Sequence, residues 1–188
     1  MPNYKVLNES EMPLFIEVTD GTQTLNVSNG AAVTIASEHY EIHEGDAYVV
    51  SYLFKDVGNN NYANMRLVTG RKATHAVGFV AADGKAIISL HRAATYSASG
   101  TSLNIYNLNG NSTNITVNKA LQSPTISSSG TLIYQTLLPG GKGTRVVGAE
   151  TSSSSETILQ ISGDYLYRVQ NVSSVTGDIS IEFRWYEV

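Results

Sequence analysis

The chain has 188 residues, 41% of them hydrophobic, and a formal net charge of -4. That length holds one well-buried domain, and that apolar content excludes a disordered chain. Without cysteine it forms neither a disulfide framework nor a thiolate metal site, and with charged residues at only 15% much of the polar surface is left to neutral Ser, Thr and Asn.

The opening stretch, MPNYKVLNESEMPLF, lacks the basic-then-apolar order of a signal peptide, and no apolar run reaches the roughly 20 residues that span a bilayer. The expectation is a soluble protein that is not exported by the usual route and has no membrane partner. Residues 1–38 carry short apolar patches between Asp20-Gly21 and Asn29-Gly30 turns. They read as a separate N-terminal arm or small β lobe, either a hairpin or a segment ordered by a partner. Residues 39–188 form the main domain.

From there the period is that of strands. In AYVVSYLF (47–54), Tyr48, Val50, Tyr52 and Phe54 share one face while Val49, Ser51 and Leu53 share the other, so a strand covered on both sides is expected. THAVGFVAADGKAIISLHR (74–92) reads as a hairpin about Asp83-Gly84. TSLNIYNLNGNSTNITVN (101–118) reads as another about Asn109-Gly110, with Leu103 and Ile105 facing Ile115 and Val117. Further strands follow in TLIYQTLL (131–138), TRVVGA (144–149), ETILQI (156–161), YLYRVQNV (165–172) and ISIEFRWYEV (179–188). In the last, Ile179, Ile181, Phe183 and Trp185 alternate with Ser180, Glu182, Arg184 and Tyr186, so the first set should face the core. The fold class is therefore all-β, a sandwich or barrel of at least eight short strands.

The motifs that would carry chemistry fall short of their requirements. LPGGKGT (138–144) resembles a phosphate loop, yet Thr136 stands where its first glycine belongs and Gly143 where its metal-binding hydroxyl belongs. A strand former follows rather than a helix, so the glycines are expected to shape a turn. His39 and His43 have the spacing of helical metal ligands, but HYEIHEG reads as the entry to a strand, where four residues span about 13 Å. His75 and His91 would meet across the Asp83 hairpin, two ligands without a third. Glu41, Glu44 and Asp46 form a local acid cluster, read as solvated, and Ser102 lacks the G-x-S-x-G frame of a nucleophile. Five N-x-S/T strings, at Asn8, Asn26, Asn111, Asn114 and Asn171, are what so polar a chain yields by chance. No catalytic, cofactor-binding or metal-binding residue is assigned, and no enzyme activity or cofactor is expected.

Eleven tyrosines point instead to surfaces that bind, with Tyr62 and Tyr96 the best contact candidates. Charge is also segregated. Residues 1–50 hold eight acids and one base, residues 57–149 hold eight bases and one acid, and residues 150–188 hold six acids and two bases. Surfaces of opposite sign favour contact between copies or with a partner. The bases are spread rather than clustered, so nucleic acid is not an expected partner.

HEGDAYVVSYLF, GTLIYQTLLPGGKG, ETILQISGDYLYRVQNVSS and the closing ISIEFRWYEV, in that order, resemble the small jelly-roll decoration (cement, or head auxiliary) proteins of tailed bacteriophages. The likeness covers about residues 39–188. It implies an eight-stranded, double-sheet jelly roll, a homotrimer, contact with the major capsid protein, and a place on the outer surface of the virion after synthesis in the host cytoplasm. It carries no active-site residues. The alternative is a carbohydrate- or receptor-binding β-sandwich from a phage fibre or tail, with a host-surface glycan as partner. A glycan-cleaving enzyme is the remaining reading, and it needs two carboxylates close together in a cleft.

Overall fold

The computed structural model describes residues 26–28, 31–33, 37–140, 146–147 and 156–188. The elements run β1 (Asn26–Ser28), β2 (Ala31–Val33), α1 (Ser37–Glu44), β3 (Ala47–Val57), β4 (Tyr62–Val68), β5 (Thr74–Ala82), β6 (Ala86–Arg92), β7 (Thr95–Ala98) and β8 (Thr101–Ser102). They continue with β9 (Tyr106–Asn107), β10 (Lys119–Gln122), β11 (Thr125–Ser128), β12 (Thr131–Leu138), β13 (Val146–Val147), β14 (Thr157–Leu159), β15 (Asp164–Asn171) and β16 (Gly177–Glu187). The fold is an all-β sandwich. One sheet has the order β12-β6-β15-β4-β10-β8, and the other β13-β5-β16-β3-β9, with β14 also on β5. Every pairing among the described strands is antiparallel.

The core lies between the sheets, and β15 and β16 are its centre. Ile179, Ile181, Phe183 and Trp185 of β16 are all buried, as their alternation requires. They meet Tyr165, Tyr167 and Val169 of β15, with the Tyr167 and Phe183 rings edge-on at 4.8 Å. Each such side chain contributes about 1.5–3 kcal/mol by leaving water. Glu187 ends the row, 2% exposed. Its carboxylate accepts from Trp185 Nε1 (3.1 Å), the Val117 amide (3.2 Å) and the Thr116 hydroxyl. Burial, then the nearby Glu187 charge, pushes the neighbouring Tyr48 phenol up to about 12.

Several local expectations change. The middle of β3 is covered on one face only: Val50 and Phe54 are buried, whereas Ser51 is exposed and Leu53 is 47% exposed. The Asp83-Gly84 turn is not a hairpin, because β5 and β6 belong to different sheets. The turn is a corner between layers, held where the Asp83 amide donates to Asp178 O and Asp83 Oδ2 accepts from the Asp178 amide. Nor do residues 101–118 form a hairpin. β8 pairs with β10 and β9 with β3, and Ile115 and Val117 are exposed. The segment between them is organised by asparagine side chains that bond backbone in place of a ladder. Asn109 Oδ1 accepts from the Asn111 amide, and Asn107 Nδ2 reaches Gly45 O at 2.6 Å.

Residues 39–43, read as the entry to a strand, are helical. SEHYEIHE forms α1, which packs on β3 and β16. Gly45 ends it at φ +83°, a backbone state glycine takes without strain, and its amide and that of Asp46 both reach Glu41 O at 3.0 Å.

The N-terminal lobe of residues 1–38 falls mostly outside the described residues. Within it β1 and β2 pair antiparallel, with Ser28 opposite Ala31, and the Asn29-Gly30 turn lies outside the described residues. The GGKG stretch and TSSSSE fall outside them apart from Gly140 and Glu156, and of TRVVGA only β13 is described. Gly140 itself abuts the corner turn, where an added Cβ would lie 2.2 Å from the Lys85 amide nitrogen. That glycine serves close backbone approach.

Candidate functional site

The two long edges of the sandwich differ. At one, residues 101–107 pass from β8 in one sheet to β9 in the other, and Leu103 and Ile105 plug the gap against the core. At the other, β12 faces β14 across the end of the core, and there the layers part around a cavity of about 490 Å³. Leu67, Leu90, Phe183 and Leu159 form its buried wall, while Tyr134, Thr136 and Glu156 stand at its exposed rim.

Seven of the eight β12 residues are exposed. Tyr134, Thr136 and Leu138 follow the inward side, opposite Leu90, Ile88 and Ala86 of β6. Leu132 pairs with His91, and the register shifts before Tyr134, so Ile133 is an extra residue in a bulge. Leu132, Ile133 and Leu137 are each close to half exposed. Ile158 of β14 and Ile161 beyond it are also half exposed or more. Among the described residues β12 is the last strand of its sheet. An edge strand with so much apolar surface is a template for another chain. Charged Lys85 and Arg92 are exposed near its two ends, beside Leu138 and Thr131 respectively.

Inside the rim, the Tyr167 and Tyr134 hydroxyls share a hydrogen bond, and burial pushes both phenols above their ordinary pKa. Tyr165 accepts the Gln160 amide at 2.7 Å. These hydroxyls act as packing groups with their polar ends paired. On the outer face of the same sheet lies a shallow groove of about 170 Å³, lined among others by Tyr62, Ser89, Gln135, Arg168 and Gln170. Arg168 covers the Tyr62 ring at 4.0 Å and bonds Asn64 and Ser129.

The residues singled out from sequence are scattered. His75 and His91 do not meet, since each points outward from a different sheet. His75 Nδ1 lies 2.7 Å from Glu156 Oε1 with its ring stacked on Tyr186, and His91 Nε2 lies 3.1 Å from Ser89 Oγ. Burial, then the Arg168 charge, lowers the His91 pKa. His39 and His43 do meet: one helical turn apart, their Nε2 atoms are 2.9 Å apart. Among the described residues there is no group of three or more His, Cys, Asp or Glu placed to share a metal. The acid cluster is not simply solvated. Glu41 is 8% exposed on α1, and burial, then Asp46 and Glu44, raise its pKa. Tyr62 is 45% exposed, but Tyr96 is committed internally, donating to Asp164 beneath Arg66. Comparison with known proteins returns no matching family model, no matching curated protein and no matching solved structure.

Proposed function

We propose that the chain is an adhesive structural protein of a virus particle, a jelly-roll decoration protein on the outer capsid of a tailed phage. It acts as a homotrimer bound to the major capsid protein. Two lines support this reading besides the likeness in sequence. The strands β3, β4, β5, β6, β12, β14, β15 and β16 run in the orders β3-β16-β5-β14 and β4-β15-β6-β12. Every step between them changes sheet except β6 to β12, an order that supports the proposed double Greek key.

The observation that carries the reading is the apolar edge at β12. Its exposed Leu132, Ile133 and Leu137, flanked by Lys85 and Arg92, suit burial against a neighbouring copy. A head-to-tail contact of that kind repeats around a closed ring. Three capsid sites on one rigid ring then bind by avidity. Light scattering on the purified protein should give three times the chain mass, and the protein should sediment with undecorated capsids of its phage. A monomer that ignores those capsids at every concentration overturns the proposal. Deleting residues 1–36, which leaves α1 in place, tests whether the N-terminal segment adds capsid contacts. Undiminished binding rejects that role.

The groove beside Tyr62 favours a second reading, glycan binding. Its amides, its hydroxyl and the guanidinium of Arg168, which covers one face of the Tyr62 ring, suit sugar hydroxyls. Binding to host polysaccharide that Tyr62→Ala abolishes, with no affinity for capsids, would favour it over decoration.

A further inference from the structure

We propose that His39 and His43 form a chelating pair for a late first-row divalent cation, copper(II) foremost. Two metal–imidazole bonds of about 2.05 Å at a right angle place their nitrogens about 2.9 Å apart, whereas a tetrahedral angle places them about 3.3 Å apart. The Nε2 atoms of His39 and His43 are 2.9 Å apart in an imidazole–imidazole hydrogen bond, whose shared proton a cation would displace without moving the rings apart. Their rings stand at 72° with centroids 4.6 Å apart, one above the other on one helical face. The spacing fits two adjacent corners of the tetragonal geometry that copper(II) and nickel(II) adopt. Both histidines are exposed, so water can occupy the remaining positions.

Two features pre-organise the pair. α1 cannot easily fray at its end, because Asn109 Nδ2 donates to His43 O at 3.0 Å and Asn114 Nδ2 to Glu44 O at 3.2 Å. The backbone that carries His43 is thereby fixed to the loop beneath it. The field there also favours a cation. His43 lies in the last turn of α1, at the negative end of the helix dipole, with Glu41 before it and Glu44 and Asp46 after it in the same stretch. Among the described residues, Lys72 is the base that bonds one of these acids, 3.4 Å from Asp46.

The test is titration of untagged protein with copper(II), followed by calorimetry and by the visible absorption of the bound ion. One ion per chain is expected, with magnesium giving no signal. His39→Gln and His43→Gln should each weaken binding about a hundredfold or more, since the second imidazole acts as a tethered ligand. A His75→Gln, His91→Gln double variant should bind as the parent does. Unchanged emission from the buried Trp185 in every variant shows that the core is intact. Copper binding that survives loss of both His39 and His43, binding that depends on His75 and His91, or no binding by the parent protein would each overturn the proposal.

Discussion

The two edges of this sandwich are built from the same sheets and end differently. At the β8–β9 edge, residues 101–107 cross between layers, two apolar side chains fill the gap, and asparagines tie the adjoining loop to the end of α1. At the β12 edge, apolar side chains stand exposed beside a cavity. A closed edge makes the fold stable by itself, and an apolar edge makes it sticky. If the β12 edge is the proposed contact between copies, stability and adhesion occupy opposite ends of one core, and substitutions should separate them.

The largest effect belongs to the closed end. Glu187→Ala removes the acceptor of Trp185 Nε1, the Val117 amide and the Thr116 hydroxyl at once. A loss of about 3 kcal/mol is expected, because buried donors lose a charged partner. Urea denaturation followed by Trp185 emission measures it. A loss below about 1 kcal/mol would mean that water replaces the carboxylate and that this end is less sealed than its burial implies.

Next comes Leu137→Asp at the β12 edge. Unfolding free energy should stay within about 0.5 kcal/mol, because the side chain is half exposed. Self-association should weaken about thirtyfold, the size of one interface hot spot. Sedimentation velocity over a concentration series reads the second quantity and denaturation the first. If stability falls and association does not, the edge is part of the monomer's own packing.

Asn109→Ala should cost about 1 kcal/mol, through the contacts to His43 O and the Asn111 amide. Amide exchange in α1 should quicken while exchange in β15 and β16 does not, because the helix end opens locally before the core does.

The last strand, β16, was legible in the sequence because it has one clean apolar face. Ile179, Ile181, Phe183 and Trp185 alternate without exception, and all four are buried. The Asn109-Gly110 turn misled because residues 108–118 form a loop rather than a strand, and the Asp83-Gly84 turn misled for a different reason. A turn dipeptide between alternating runs signals a reversal, but whether the next strand joins the same sheet is decided by partners far along the chain. β5 finds β16, and β6 finds β15 and β12. SEHYEIHE hid its helix because only Tyr40 and Ile42 are large and apolar, too few to set a period of 3.6. Its stop signal, Gly45, was visible but followed no recognised helix. The β12 edge was hidden more deeply. TLIYQTLL has the composition of a core strand, and only its final place in the sheet order leaves seven of its residues exposed.

The smallest effects distinguish the ends by pH. Glu41, near the closed end, is buried, and its raised pKa means that the folded state holds the proton more tightly than the unfolded chain does. Its contribution is therefore present below the ordinary glutamate value of about 4.3 and is lost as pH rises through the raised one. Glu41→Gln should match the parent at low pH and exceed it in stability at neutral pH. His91, on the outer face beside Leu132, has a lowered pKa, so the unfolded chain takes up its proton first. Its contribution is present above the ordinary histidine value of about 6.5 and is lost as pH falls through the lowered one. His91→Gln should flatten that acid-side decline and leave the neutral range alone. Thermal melts of both variants across pH 4–8 test the signs. Two variants that shift stability in the same pH window would show that the groups answer to one shared field, and the independence of the two ends would fail.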